Sequence, residues 1–504
     1  MNVRSVLIAL LVFYAISAHG QQTDLLMGRW HASRLEEQVL KTKSMVHLGS
    51  KPVLLNRKLD TISYAFMTDS MKYYSQLAAR VMRDHLFQLK GKDYHISGDL
   101  LVDYRVGREF ELDSASRGVY MAVRGIVLQG EIGKRFSFTT GFYEAQNYSP
   151  RYLRQFVDSN EVFPGWGRVK LFKENGYDYS KSFGKVGVDI FSTLHAELGY
   201  GNHFIGNGYR SLLMTDGLMN APYVELDWRS RNGIFQYRTW YSTLQSQQRL
   251  PLGDTPESLF KRKSGHFHYL SIKPANWLEF GVFEGMISQR VTDSTVVKQP
   301  WNAFQPLIGV NTLIANWDGE QNVYAGFQMS VQFERWMVYS QYLVDDPASK
   351  RIGVQVGAKF FSLFLKGLDL QVEYNQTGAY TYAGSSALYG LNQVNQPLGH
   401  PLAGGVEEWI GIAEYRYGRV FARTKFNSIR HAVGEKGKWD ADLDAETLEE
   451  FARIQQLECQ VGYQLNLKTN AEIVFGYTYR EGSYVGNTYL IGIRTNLHNN
   501  YFDF

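Results

Sequence analysis

From about residue 94 onward this chain is written in period two. In 323–333, Val323, Ala325, Phe327, Met329, Val331 and Phe333 alternate with Tyr324, Gly326, Gln328, Ser330 and Gln332. In 223–229, Val224, Leu226 and Trp228 oppose Tyr223, Glu225, Asp227 and Arg229. In 368–376, Leu368, Leu370, Val372 and Tyr374 oppose Asp369, Gln371, Glu373 and Asn375. The same alternation runs through 420–427 and 471–480. Successive side chains of a strand point to opposite faces, so each segment predicts a strand with one apolar and one polar face. These segments run for about 9–13 residues, between turns such as Asn232–Gly233 and Asp318–Gly319. Strands of a soluble sandwich are usually ~5–6 residues long, whereas tilted strands that cross a bilayer need ~9–11. A large soluble sandwich or solenoid is the competing reading. In hydrocarbon every backbone polar group must be paired internally, so spanning strands close into a barrel without edges. The apolar face then meets lipid and the polar face lines the lumen. That arrangement reconciles a mean hydropathy of −0.29 with a chain that is 14% aromatic.

From residue 94, 18 or 19 such segments can be drawn, and because single-chain bacterial barrels carry an even number, 18 is the expected count. The predicted fold is therefore an all-β, antiparallel transmembrane barrel of about 18 strands over 94–504. The sequence ends Phe502–Asp503–Phe504, and a terminal aromatic residue resembles the assembly signal of outer-membrane barrels, although His498–Asn499–Asn500 interrupts the register. At the other end, Arg4, the apolar run Val6 to Ile16, and Ala18 and Gly20 form an export signal over 1–20, with cleavage before Gln21. No Cys follows the signal, and no later run of ~18 apolar residues suggests a spanning helix. Residues 21–93 read as a small helical element, periplasmic or plugging the lumen. Glu36 to Lys43 and Asp69 to Leu89 have helical spacing, the second with the stripe Met71, Tyr74, Ala78, Val81, Met82, His85 and Leu86. Residues 147–179 and 378–405 are connections long enough to suggest a function, the first folded into the lumen. The compartment is the outer membrane of a Gram-negative bacterium, and the expected state is a monomer in outer-membrane lipid.

The search for chemistry returns little. One Cys excludes a disulfide framework, and a net charge of +4 spread along the chain gives no footprint for nucleic acid. Asp440, Asp442 and Asp444 open like a calcium loop, but Ala445 and Phe451 stand where Gly and Glu are needed. A loop helix over roughly 440–452 is the better reading. His266 and His268 share a strand face without a third ligand. Gly206–Asn207–Gly208 lacks a dinucleotide-binding context, and no nucleophile elbow is present. No catalytic residue, metal or cofactor is expected, and the chain reads as a non-enzyme.

Residues 199–216 break the alternation with several glycines, which allow a tight folded-in loop. Within it Asn202, Tyr209, Arg210 and Asp216 are the candidate ligand-binding residues. A flat ring beside directional polar groups suits a sugar, and equally suits anchoring an inward loop to the wall. The lumen-facing charges are Asp103, Arg105, Glu225, Asp227, Arg229, Arg238, Asp369, Glu373, Arg423, Lys425, Glu472 and Arg480. They mix both signs, whereas an ion-selective pore favours one. They are expected to pair across the lumen and leave a narrow or blocked barrel displaying its outer loops.

Residues 199–216 with Asn220–Ala221–Pro222–Tyr223 resemble the signature of the Wzi-type capsule-assembly family. The resemblance is closest to the Bacteroidetes branch labelled RemB, a gliding-motility protein. Pro164–Gly165 and Gln396–Pro397–Leu398–Gly399–His400–Pro401 fit the same branch. The resemblance covers most of the chain after the signal and is specific in 199–223. It implies an 18-stranded outer-membrane barrel with a small helical part at the periplasmic end. It also implies a non-enzymatic role in attaching or assembling capsular or extracellular polysaccharide. Two other readings stand beside it: a surface protein of a motility or secretion system that binds a protein partner, and a substrate-specific porin.

Overall fold

The computed structural model describes residues 28–53, 75–112, 115–133, 135–250, 260–290, 305–314, 321–346, 351–433, 450–495 and 498–504. The signal segment 1–20, Met71 and Tyr74 of the helical stripe, the Asp318–Gly319 turn and the three aspartates at 440–444 lie outside those residues.

The alternating segments close into an antiparallel barrel of eighteen strands. In chain order they are β1 (Tyr94–Glu111), β2 (Arg117–Ile132), β3 (Phe136–Tyr148), β4 (Gly176–Phe191), β5 (Leu194–Gly201) and β6 (Ala221–Arg229). Next come β7 (Phe235–Arg249), β8 (Phe260–Ala275), β9 (Leu278–Gln289), β10 (Gln321–Phe333), β11 (Trp336–Asp346) and β12 (Arg351–Phe361). The last six are β13 (Leu368–Thr377), β14 (Val406–Tyr417), β15 (Val420–Val433), β16 (Glu450–Asn466), β17 (Ala471–Glu481) and β18 (Val485–Thr495). Closure is by β18 on β1, from Gly486 opposite Glu111 to Arg494 opposite Asp103. The pleat sorts the faces as the alternation requires. Val224, Leu226, Trp228, Phe327, Val372, Phe426, Ile473 and Phe475 are exposed on the outer wall. Tyr223, Glu225, Asp227, Gln328, Glu373, Asn375 and Asn427 are buried toward the lumen.

Short turns such as 192–193, 276–277 and 418–419 gather at the end where β1 begins and β18 finishes. In outer-membrane barrels that is the periplasmic end, and the longer loops face outside. Four pieces of chain fill much of the lumen, and the connection 149–175, expected to fold inward, adds Leu153, Val157, Phe163 and Trp166 against Leu101, Val123, Val127 and Tyr143 of the inner wall. Helix α1 (Arg29–Thr42) enters from the turn end, and Leu35, Val39 and Leu40 pack on Met337, Tyr339 and Phe361 of the inner wall. Its buried Glu36 sits between Lys359 of β12, at 2.6 Å, and Lys51, at 3.2 Å. Ser50–Lys51 pairs antiparallel with Phe204–Ile205 of the second piece, loop 202–220. Ile205, Leu212, Leu213 and Met214 of that loop join Trp240, Phe267, Phe283 and Tyr324 of the wall, with Tyr382 and Leu398 of the third piece, loop 378–405. The fourth piece is the tail 498–504. The barrel interior is thus a packed core, in which each buried apolar side chain contributes about 1.5–3 kcal/mol.

Several expectations need correction. Phe504 does not end the last strand: the tail turns back into the lumen and buries Phe504 with Leu153, Phe163 and Tyr179. The described part of the second helical stretch holds α2 (Gln76–Met82), in which no residue is buried, and Phe87–Lys90 forms a strand on β1 instead of continuing a helix. Helix α2 is held at the turn end, where Arg419 and Asn466 donate to the Met82 and Val81 carbonyls. Val81 of its apolar stripe is exposed, whereas Ala78, Met82 and His85 are half-buried. Glu450 to Ala452, placed in a helix by the sequence, begin β16, because Ala452 has a ladder partner in His431.

His266 and His268 face neither lumen nor lipid. They lie on the outer wall with Tyr237 and Glu284, where apolar side chains are expected, and residues 305–314 cover them. Gln305 contacts His268, the Pro306 carbonyl accepts from the Tyr237 hydroxyl, and Glu284 accepts from Gly309 N, Thr312 N and Thr312 Oγ1. Leu307 and Leu313 of this strap are exposed, so it restores an apolar surface over a polar one. Glu284→Leu removes the carboxylate acceptor of three donors, a loss of about 2–3 kcal/mol. The expected result is proteolytic cleavage within 305–314 of a barrel that still migrates as folded. An uncut strap would show that Glu284 does not hold it.

Candidate functional site

Loop 202–220 runs inward because its sequence lets backbone meet carboxylate. A Cβ on Gly208 would stand 2.7 Å from Glu373 Oε2 and 2.6 Å from the Arg210 carbonyl oxygen, so only glycine allows the approach. Glu373, projecting from β13, then accepts from Tyr209 N at 2.6 Å and Arg210 N at 2.9 Å. This fixes Arg210, which is 1% exposed. Its guanidinium grips Glu408 of β14 in a fork, Nε to Oε2 at 3.1 Å and Nη2 to Oε1 at 2.8 Å. Nη1 reaches Asp503 Oδ1 of the tail at 3.0 Å, and Nη2 also donates to the Asp503 carbonyl.

The second oxygen of Asp503 accepts from the Tyr209 hydroxyl at 2.7 Å and from Lys425 Nζ of β15 at 2.9 Å. His400 Nε2 lies 2.8 Å from Glu408 and ties in loop 378–405. The Arg29 guanidinium of α1 lies 3.5 Å over the Tyr209 ring. One buried arginine therefore joins three inserted segments to the wall. Charge-assisted, bidentate contacts of this kind are strong and geometrically specific. Burial alone would raise the Asp503 carboxyl, but Arg210 and Lys425 hold it far below the ordinary carboxylate range.

All four candidate ligand residues lie inside this knot rather than on a displayed loop. Asn202 donates to the Leu218 carbonyl at 2.7 Å. Asp216 accepts from the Tyr501 hydroxyl and Asn499 Nδ2, each at 2.7 Å. Tyr209 is 5% exposed and Asp216 8% exposed. Their polar atoms bind protein, as anchoring requires, and Tyr209 and Asp216 also line the lumenal cavity described below.

The twelve charges all point inward, but they pair mainly along the wall. Asp103 holds Arg105 at 2.6 Å, Glu225 holds Arg238 at 2.6 Å, and Asp227 holds Arg229 at 3.0 Å. Arg416 reaches Asp369 at 3.0 Å, and Glu472 takes Arg423 and Arg494. Glu373, Lys425 and Arg480 instead hold inserted backbone or tail, Arg480 donating to Gln456 and to the Phe504 oxygen. Pairing straight across is replaced because peptide occupies the space between. Glu408, His400 and Asp503 were missed. Glu408 carried a signal, as a polar member, with Glu414 and Arg416, of the inward register of 406–417; Asp503 carried none, since its neighbours read as a terminal strand.

Between α1, the tail and the inner wall of β1 and β14–β18 remains a cavity of about 310 Å³, lined by Arg105, Glu414, Arg423, Glu458 and Arg494 among others. Among the described residues no group of three or more His, Cys, Asp or Glu could hold a metal ion.

No family model matches the chain, and no curated protein matches it. Solved structures do. Wzi, an outer-membrane protein involved in group 1 capsule assembly in Escherichia coli and described as a carbohydrate-binding β-barrel, superposes with a TM-score of 0.54 at 13% identity. The match covers 93% of this chain and 98% of that one. OpdQ of Pseudomonas aeruginosa gives 0.43 at 9% identity, over 79% and 96% of the two chains. OccK2 of the same organism, solved with glucuronate, gives 0.44 at 10%, over 82% and 99%. At these identities the likeness to Wzi is one of fold: a closed 18-strand barrel of the outer-membrane kind.

Proposed function

We propose that this chain is a non-enzymatic outer-membrane barrel of a Gram-negative bacterium that attaches, or helps assemble, capsular or extracellular polysaccharide at the cell surface. The observation that carries the reading is the packed lumen. A barrel whose interior holds α1, two folded loops and a tail, clamped by Arg210, is a platform for its outer loops rather than a conduit. That favours attachment over a porin. The fold shared with a capsule-assembly barrel supports the same direction. In this reading residues 1–20 direct export, 21–93 supply the plug and the periplasmic α2, and 94–504 form the barrel. The strand ladder closes within one chain, which supports a monomer in outer-membrane lipid.

Deleting the gene tests the reading. Total polysaccharide is expected to stay constant while the cell-attached fraction falls several-fold and the shed fraction rises. Unchanged retention would refute attachment, and non-spreading colonies with normal capsule would favour a motility or secretion partner instead.

A further inference from the structure

One strand edge at the turn end of the barrel is open. β18 covers β1 only from Glu111 down to Asp103, the partner of Arg494. Below that point β1 continues to Tyr94, and Phe87–Lys90 takes the vacant side, with Phe87 opposite Gly98 and Lys90 opposite His95. Among the described residues no strand pairs the other edge of Phe87–Lys90, and all four of its residues are exposed. Across the hairpin Gly91 N donates to the Tyr94 carbonyl. Hydrogen-bonded and non-bonded pairs alternate along an antiparallel ladder. Phe87 and Leu89 therefore share the bonded register of Gly91, and Gln88 and Lys90 turn their backbone N–H and C=O groups away from β1. Unpaired backbone is not tolerated in hydrocarbon, so this edge stands in the periplasm beyond the membrane.

The side chains around the edge are as uncompensated as its backbone. Phe87 and Leu89 lie on one face and are 47% and 46% exposed. Gln88 and Lys90 lie on the other face, with Gln88 Nε2 2.8 Å from His95. Helix α2 ends four residues before the strand and exposes Leu77 and Val81. Arg80 of α2, Lys90 and Lys92 are exposed, and among the described residues none of the three has a carboxylate partner. An open edge is a template for a further strand, in which main-chain bonds give affinity and alternate side chains give specificity. A second copy of this chain would set these cations against themselves. We propose that Phe87–Lys90 is a docking edge for a periplasmic protein, which adds an extended segment of alternating apolar and acidic residues. The apolar residues continue the face of Phe87 and Leu89, and the acidic ones meet Lys90 and its neighbouring cations. This goes beyond polysaccharide attachment and does not depend on what the outer loops hold.

The test uses the full chain purified in detergent and a short fluorescent peptide that alternates valine and glutamate. The same peptide methylated on every backbone nitrogen controls for strand pairing, and a valine–lysine peptide controls for charge. Wild type is expected to raise the anisotropy of the valine–glutamate peptide and of neither control, with affinity falling as salt rises. Gln88→Pro removes an outward N–H and no ladder bond to β1, and is expected to weaken binding at least tenfold. K90E/K92E is expected to lose as much and to bind the valine–lysine peptide instead. Heat-modifiable migration on gels verifies that each variant is folded. No binding by wild type, or equal binding by Gln88→Pro or of the methylated peptide, would overturn strand addition. Equal binding of the valine–lysine peptide by wild type would overturn the acidic partner. Binding that persists in lipid nanodiscs supports the proposal; binding lost there would show that membrane covers the edge, and would overturn it.

Discussion

Arg210→Met is expected to open a barrel that is otherwise closed. Methionine fills a similar volume, but it leaves Glu408 buried without its arginine and Asp503 with Lys425 as its remaining cation; the two carboxylates are 0% and 1% exposed. Removing one partner of a buried pair costs about 3–5 kcal/mol, because an uncompensated charge remains. The strand ladder does not depend on Arg210, so the wall should persist while the tail and loop 202–220 lose their clamp. Wild type is expected to be silent in planar bilayers, and Arg210→Met to show large, fluctuating conductance. A compensated variant separates electrostatics from packing. Arg210→Met with Glu408→Gln and Asp503→Asn removes the stranded charges, and a neutral buried set can match an ionic one in stability. That variant should be nearly as closed as wild type. If Arg210→Met conducts no more than wild type, the knot does not hold the plug. If wild type itself conducts like an open pore, the platform reading fails with it.

The fold was legible because lipid imposes a single rule on every strand. Val224, Leu226 and Trp228 need only be apolar and alternate with polar partners, and no distant residue alters that requirement. The same rule explains where the reading failed. His266, His268 and Glu284 break it locally, and only the strap of 305–314, far along the chain, makes the breach tolerable. Phe502 and Phe504 look like a strand end, yet their partners are Phe163 and Phe156 of a loop more than 300 residues earlier. Tyr209 and Arg210 were rightly singled out as unusual. Their role turned on Asp503 and Glu408, and no local pattern links positions so far apart.

Acid is expected to loosen the plug, through histidines rather than through the ionic knot. His498 of the tail is packed against the rings of Tyr143 and Phe183, and burial, with Lys181 nearby, pushes it down to about 3. His31 of α1 lies edge-on to Trp30, and burial pushes it down to about 4. A released tail or helix would titrate near the ordinary histidine value of ~6.5. Above that value both states are neutral and the histidines contribute no pH dependence. Between about 6.5 and each depressed value the released form binds the proton and the packed form does not, so closure weakens as pH falls. At pH 4.5 each histidine costs roughly 2–3 kcal/mol by this linkage. Asp503 works differently. Its carboxyl is held low in the packed state, so its contribution is present above the unfolded value of ~3.8 and is lost only below it. It therefore supports closure throughout this window and adds no slope. Conductance and protease access to the tail should both rise between pH 6.5 and 4.5. His498→Phe, which keeps a ring against Tyr143 and Phe183, should remove about half of that rise, and with His31→Leu nearly all of it. A barrel equally closed at pH 7 and pH 4.5 would mean that these histidines are protonated without leaving their sites, and that packing, not ionisation, decides whether the plug stays in.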